Sequence, residues 1–191
     1  AGIGVVRELR KLDAGRQIVI VTGDGGGFYS KPSLSNAFAH GKSAAQLTIT
    51  PREALAAQLQ AEIRAGARAG AIDPSRHEIA VDGRPLAYAQ LVLAVGAQPI
   101  RLPVAGDGAA EILSVNSLAD YTLLRQRLEG RHRVAILGAG LIGCEFANDL
   151  AGAGFQVQVF DIALQPLGRL LPAATADYFR RRLEAAGVRF H

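Results

Sequence analysis

The apolar residues of this chain fall into two rhythms. Ile3, Val6, Leu9 and Leu12 recur at helical spacing, and Ile18-Val-Ile-Val21 is then a short continuous run that reads as a buried strand. A second helix start follows at Thr50-Pro51-Arg52-Glu53, with Thr as N-cap, Pro at the first helical position and Glu at the third. Its apolar stripe continues through Leu55, Leu59 and Ile63. Residues 68–72 and 77–81 read as short strands, and Asp82-Gly83 makes a tight hairpin turn into a return strand that ends near Tyr88. The run from Leu91 to Val95 predicts one more buried strand, closed by a sharp turn before Pro99. Residues 100–115, rich in Pro, Gly and Ala, read as a crossing to a second domain. From there the pattern predicts a helix over 118–128, a buried strand over 134–137, a helix over 143–152, a strand over 157–160, a helix over 174–186 and the start of a third strand at 187–191.

The turn between the strand at 134–137 and the following helix carries the chemistry. Gly138, Gly140 and Gly143 stand in G-x-G-x-x-G spacing. Gly138 permits a tight turn, Gly140 lets backbone approach a pyrophosphate, and Gly143 lets helix and strand pack closely. The helix N-terminus then offers free N–H groups to phosphate. The next strand ends in Asp161, about 20 residues beyond the glycines, where a ribose 2′-OH needs an acceptor. A glycine-rich turn without a ligand does not explain that acid. The pattern therefore predicts an NAD site built from Gly138, Gly140, Gly143 and Asp161.

The chain opens on a helix with no strand before it, as if inside a β-α-β unit, and stops where a third strand begins. We therefore expect a fragment cut at both ends, with Gly2 as the last glycine of a phosphate loop. After the first strand, residues 22–36 hold four glycines close together, which forbids regular structure there. Phe28, Tyr29, Pro32 and Leu34 are not linker residues, and Lys31-Pro32 leading into a helix start reads as a positioned cation.

Composition excludes several classes. An apolar share of 49% with 20% charged residues is that of a globular domain. No apolar run reaches the length of a membrane span, no signal peptide is visible, and cytoplasm is the default location. One cysteine excludes a disulfide framework, and with four scattered histidines it excludes a multi-cysteine metal site. The net charge of +4 includes arginine runs at 125–133 and 180–182. They are either solvated helix faces or a mild preference for an acidic partner. No aromatic residues interleave with them as nucleic-acid binding would require.

Two tandem dinucleotide units, an antiparallel insertion and Ala94-Val-Gly-Ala97 before the crossing resemble the FAD-dependent pyridine nucleotide-disulfide oxidoreductase superfamily over essentially the whole chain. Phe28-Tyr-Ser-Lys-Pro-Ser-Leu-Ser35 and Gly138-Ala-Gly-Leu-Ile-Gly-Cys-Glu-Phe-Ala-Asn-Asp-Leu150 resemble its rubredoxin–NAD reductases in particular. The resemblance implies an α/β fold with two Rossmann-like units, FAD-binding then NAD-binding, each incomplete here, split into 1–105 and 106–191. It implies that Ala1 and Gly2 belong to the FAD pyrophosphate loop, and that Thr22 and Gly23 end the strand beside the adenosine ribose. Many relatives carry an acid there, whereas this chain has Thr22 with Asp24 two residues on. It also implies that the Ala69 main chain holds the adenine, that Lys31 reaches the flavin, and that Glu145 stands where flavin meets nicotinamide, close enough to pair with Lys31. The alternative reading of Glu145, from the residues alone, is a solvated first-turn acid favoured by the helix dipole.

Disulfide reductases of the superfamily carry a cysteine pair in the segment matching 30–36, and this chain has none there. Cys144 reads as a packing residue. The resemblance then implies electrons passing from NADH through FAD directly to a one-electron carrier such as acidic rubredoxin, for an oxygenase such as an alkane hydroxylase. A ferredoxin or a flavorubredoxin is the alternative acceptor. A flavin- and NADH-responsive binding protein with slow turnover is the alternative class.

Overall fold

The structure, a computed structural model, describes residues 1–191. In chain order the elements are α1 (Gly2–Leu12), β1 (Val19–Thr22), β2 (Phe28–Tyr29), a 3-10 helix (Lys31–Ser35), α2 (Ala44–Leu47), β3 (Thr48–Thr50), α3 (Arg52–Leu59), β4 (Glu62–Ala65), β5 (Ala69–Asp73), β6 (Glu78–Val81), β7 (Arg84–Ala87), a second 3-10 helix (Asp107–Glu111), α4 (Leu118–Leu128), β8 (Arg133–Leu137), α5 (Leu141–Gly152), β9 (Gln156–Phe160), α6 (Ala173–Ala185) and β10 (Val188–Phe190). They divide into two compact units, Ala1–Tyr29 with Thr48–Asp107, and Ser30–Leu47 with Gly108–His191. No helix is long and apolar enough to cross a membrane.

In the first unit β1 pairs parallel with β4, and α1 and α3 close over them through Val6, Leu55 and Leu59. Leu12, although it keeps the helical spacing, is 86% exposed at the end of α1. Arg10 ties this layer together. Its guanidinium donates to the carbonyls of Leu59 and Gln60 at the end of α3, and to those of Asp13 and Arg16 after α1. The β5–β6–β7 meander is antiparallel. Its Asp82-Gly83 turn has positive φ at both residues (49° and 77°), the conformation of a two-residue hairpin loop.

Three expectations need correction in this unit. The α3 N-cap is Pro51 rather than Thr50, because Thr50 is taken up as the last residue of β3, and no side chain caps the helix. Ile63 belongs to β4, since α3 stops at Gln60 in a left-handed conformation. The run at 91–95 is not a strand. Val92, Leu93 and Val95 are 60%, 62% and 86% exposed, and residues 91–100 are irregular. An extended segment becomes a strand only when a neighbour accepts from its N–H groups and donates to its C=O groups, and no strand of this chain does so here.

The second unit is a βαβαβ arrangement. β8, β9 and β10 are parallel in the spatial order β10–β9–β8, with α5 and α6 as the crossovers. Val157 and Val159 of the central strand are fully buried. The β8 strand was expected to be buried, but it lies at the sheet edge with Arg133, Ala135 and Leu137 exposed. The helix after it begins at Leu141, two residues earlier than the spacing predicts. α4 occupies the predicted residues, with Ser117 capping it by accepting from the Asp120 N–H at 3.2 Å.

Candidate dinucleotide and redox sites

In the second unit, β8 runs through Gly138 into α5. Gly138 has φ of +105°, which L side chains rarely adopt, and its N–H donates to the Phe160 carbonyl at 2.8 Å. A Cβ at Gly143 would stand 2.0 Å from the Gly138 carbonyl oxygen, so only glycine fits there. A Cβ at Gly140 would meet nothing within 4 Å. Gly140 is the N-cap of α5 and supplies no side-chain cap. The first intrahelical acceptor bond runs from the Cys144 N–H to the Gly140 carbonyl. The N–H groups of the first turn therefore remain available to an anion.

Asp161 leaves β9 beside this turn. Its Oδ2 accepts from the Ala139 N–H at 2.5 Å and its Oδ1 from the Ala163 N–H at 2.7 Å. Those two N–H groups hold its carboxyl below the ordinary carboxylate value, and the positive charge of Arg169 adds to the effect. The acid is thus fixed and charged, with further lone pairs free to accept a hydroxyl. It lines a cavity of about 200 Å³ with Ala139, Ile162, Leu164, Arg180 and His191 among its walls. The glycine turn, the open first turn of α5 and the acid at its flank fit the pyrophosphate and ribose of a nicotinamide dinucleotide. Cys144 is buried, and its thiol is pushed up to about 11 by that burial and then by the Asp161 charge. It is a packing residue, as expected, and carries no thiolate at neutral pH.

The segment Ser30–Leu47 lies against α5 in the same unit. Pro32 is the second residue of its 3-10 helix, and Ser35 is 2% exposed. Ser35 Oγ donates to Glu145 Oε2 at 2.5 Å. Lys31 is exposed and its Nζ donates to Asn116 Oδ1 at 3.1 Å. The expected Lys31–Glu145 pair is therefore not formed: each has another partner, and the ammonium is not buried, so it needs no counter-ion to survive desolvation. Asp149, 5% exposed, accepts from the Phe38 N–H at 2.7 Å and the Ala39 N–H at 3.0 Å. Ser35 and Asp149 were missed in the sequence. Asp149 stands one helical turn beyond Glu145, and that spacing was the available signal.

In the first unit, Ile3, Ile20, Thr22, Asp24, Gly26 and Gly27 line a cavity of about 60 Å³ at the end of β1. Thr22 Oγ1 donates to Asp24 Oδ1 at 2.9 Å, which also accepts from the Gly26 N–H. The carboxylate missing from the strand end is thus returned to the same cavity by the next turn of chain. Gly26 is itself buried at φ of +76°, where a Cβ would meet the Ile63 side chain at 2.9 Å. Ala1 is the N-cap of α1 and Gly2 its first residue, and Ala1 supplies no side-chain cap. Gly23 is exposed after β1, and Ala69 is exposed at the start of β5. The bare α1 N-terminus and the tethered acid fit the phosphate and ribose of a second dinucleotide.

The two units thus have the architecture and loop chemistry of a tandem dinucleotide-binding α/β protein. The pyridine nucleotide-disulphide oxidoreductase family model matches residues 1–191, and the chain belongs to that family. It is similar to the rubredoxin-NAD(+) reductase of Acinetobacter baylyi, at 46% identity over all of this chain and 50% of the relative. A nitric oxide reductase FlRd-NAD(+) reductase of Vibrio vulnificus is 35% identical over 98% of the chain and 49% of its own length. Among solved structures, the putidaredoxin reductase chain of a covalent complex with putidaredoxin has a TM-score of 0.86 and 28% identity, over 99% of this chain and 47% of that one. The chain spans about half the length of the curated relatives it matches.

Proposed function

We propose that this chain serves an FAD-dependent oxidoreductase of the cytoplasm that takes electrons from NADH and passes them through flavin to rubredoxin, for an oxygenase such as an alkane hydroxylase. The observation that carries the nucleotide part is Asp161, fixed and charged beside the Gly138–Gly143 turn. The first turn of α5 holds the pyrophosphate of NADH, and Asp161 accepts the ribose 2′-OH. Ala1, Gly2, Thr22, Gly23 and the Ala69 main chain would hold FAD, with Asp24 taking the ribose role that Thr22 lacks. Bound flavin supplies the conversion of a hydride into single electrons. Lys31 offers a positive charge where negative charge develops on reduction, and Glu145 shapes the nicotinamide pocket.

The choice of rubredoxin rests on the 46% identical relative named for it. A flavorubredoxin acceptor is favoured by the Vibrio vulnificus relative at 35%, and a ferredoxin-type carrier by the putidaredoxin reductase likeness at 28%. Steady-state NADH oxidation by the full-length protein, with purified rubredoxin, flavorubredoxin and ferredoxin compared, tests the reading. The largest kcat/KM with rubredoxin supports it. Slow turnover with every carrier refutes it in favour of a flavin-responsive binding protein.

A further inference from the structure

Three contacts step along one face of α5. Glu145 accepts from Ser35, Asp149 accepts from Phe38 and Ala39, and a Cβ on Gly152 would come within 3.5 Å of the Ala39 side chain. Their spacing of four and three residues places them in one row on the helix. The row seats Ser30–Leu47, the segment that carries Lys31 and Ser35. Asp149 is the strongest link in it. It is one of two buried polar residues of the chain, and both its oxygens accept main-chain N–H groups. Charge-assisted bonds of this kind are stronger than neutral ones, and a half-satisfied buried carboxylate is costly. The far side of the segment is held separately, by Tyr121 Oη and Arg125 donating to the Lys42 carbonyl at 2.8 and 2.9 Å.

We infer that Asp149 is a positioning residue of the redox site: it seats residues 30–39 on α5 so that Ser35 reaches Glu145 and Lys31 is held at a fixed place. This rests on the function proposed above. Asp149 touches no reacting group, and it lies two turns into α5 from the phosphate-binding end. Its loss should therefore disturb the Lys31–Ser35 turn and leave nucleotide affinity alone. A residue with only a packing role would lower stability and change neither.

The test uses Asp149→Asn in the full-length protein, with Ala39→Pro as a second variant. Ala39 follows Phe38 in the turn closed by the Gly41 N–H on the Phe38 carbonyl at 2.9 Å, a position that favours proline. Ala39→Pro removes one of the two donors without altering α5. Hydrogen exchange is read at the Ser33 amide, which bonds to the Ser30 carbonyl at 3.0 Å within the 3-10 turn. Stopped-flow gives the rate of flavin reduction and the dissociation constant of NADH. The proposal predicts faster exchange at Ser33 in both variants, a reduction rate lower by about tenfold for Asp149→Asn, and NADH affinity within about twofold of wild type. It also predicts that Asp149→Asn combined with Ser35→Ala is less than additive, because both act through one seat. Unchanged exchange at Ser33 in the folded variants, or a wild-type reduction rate in folded Asp149→Asn, overturns it. If wild-type protein does not reduce flavin with NADH, the function reading fails; Ser33 exchange then still decides whether Asp149 seats the turn.

Discussion

Replacing either of two glycines of the α5 turn by alanine adds the same methyl group and should do two different things. At Gly143 the new Cβ would stand 2.0 Å from the Gly138 oxygen and 3.1 Å from its carbon. The obstacle is backbone, so relief requires the turn to retreat by about 1 Å. That movement disturbs the Gly138 N–H bond to the Phe160 carbonyl and the Ala139 N–H bond to Asp161. Overpacking costs about 1–3 kcal/mol, and a weakened hydrogen bond about 1 kcal/mol more. A total of about 2–4 kcal/mol lowers Tm by roughly 5–15 °C. NADH affinity should fall with it, because the turn that receives the pyrophosphate has moved. At Gly140 the methyl meets nothing within 4 Å, and φ of −75° suits alanine. Glycine is a better N-cap than alanine by roughly 0.5–1 kcal/mol, so Tm falls by no more than about 4 °C. The methyl projects where phosphate must approach, and NADH affinity should fall by about tenfold or more, some 1.4 kcal/mol. Differential scanning calorimetry and NADH fluorescence titration read the two effects. Wild-type Tm in Gly143→Ala, or wild-type NADH affinity in Gly140→Ala, would refute this account of the turn.

Further expectations follow from the other site residues. Asp161→Asn should reduce the preference for NADH over NADPH by about ten- to a hundredfold in kcat/KM, since a carboxylate accepts from the 2′-OH and repels a 2′-phosphate; an unchanged ratio defeats the assignment. Because the Asp161 carboxyl is lowered from 3.8, its charge and the stability tied to it are complete above that value and are lost only as pH falls below it. The preference should then be flat across neutral pH, which a pH series of the two kcat/KM values checks. Lys31→Ala should slow flavin reduction by NADH about a hundredfold, and a stopped-flow rate equal to wild type would leave Lys31 a surface cation. Carrier reduction should quicken at low ionic strength while NADH-to-dye transfer changes little, because salt screens steering beyond about 8–10 Å. Arg127 pairs with Glu111, and Arg180 and Arg181 pair with Glu184 and Asp177, so equal salt effects on both reactions would mark these runs as ordinary helix faces.

The features legible in the sequence were those written locally. The apolar spacing over 118–128 gave α4, Asp82-Gly83 gave the hairpin, and three glycines gave the tight turn between β8 and α5. The misreadings share a physical cause. Residues 91–95 have strand composition, but a strand needs a partner that composition does not reveal. β8 has the composition of a buried strand, yet edge position decides its exposure. Thr50 could cap a helix, but pairing within β3 used it first. Asp149 was missed, because its partners are main-chain N–H groups more than a hundred residues away. Lys31 and Glu145 were expected to pair, but their side chains chose Asn116 and Ser35, polar partners that the spacing does not reveal.

An anaerobic single turnover of the full-length protein tests the central claim most directly. The flavin absorbance is followed while NADH is added, and again while oxidised rubredoxin is added. The account predicts loss of the flavin colour with NADH, at least about tenfold faster than with NADPH, and its return when rubredoxin is supplied. A flavin that keeps its colour with NADH, is reduced equally fast by NADPH, or stays reduced in the presence of rubredoxin contradicts it.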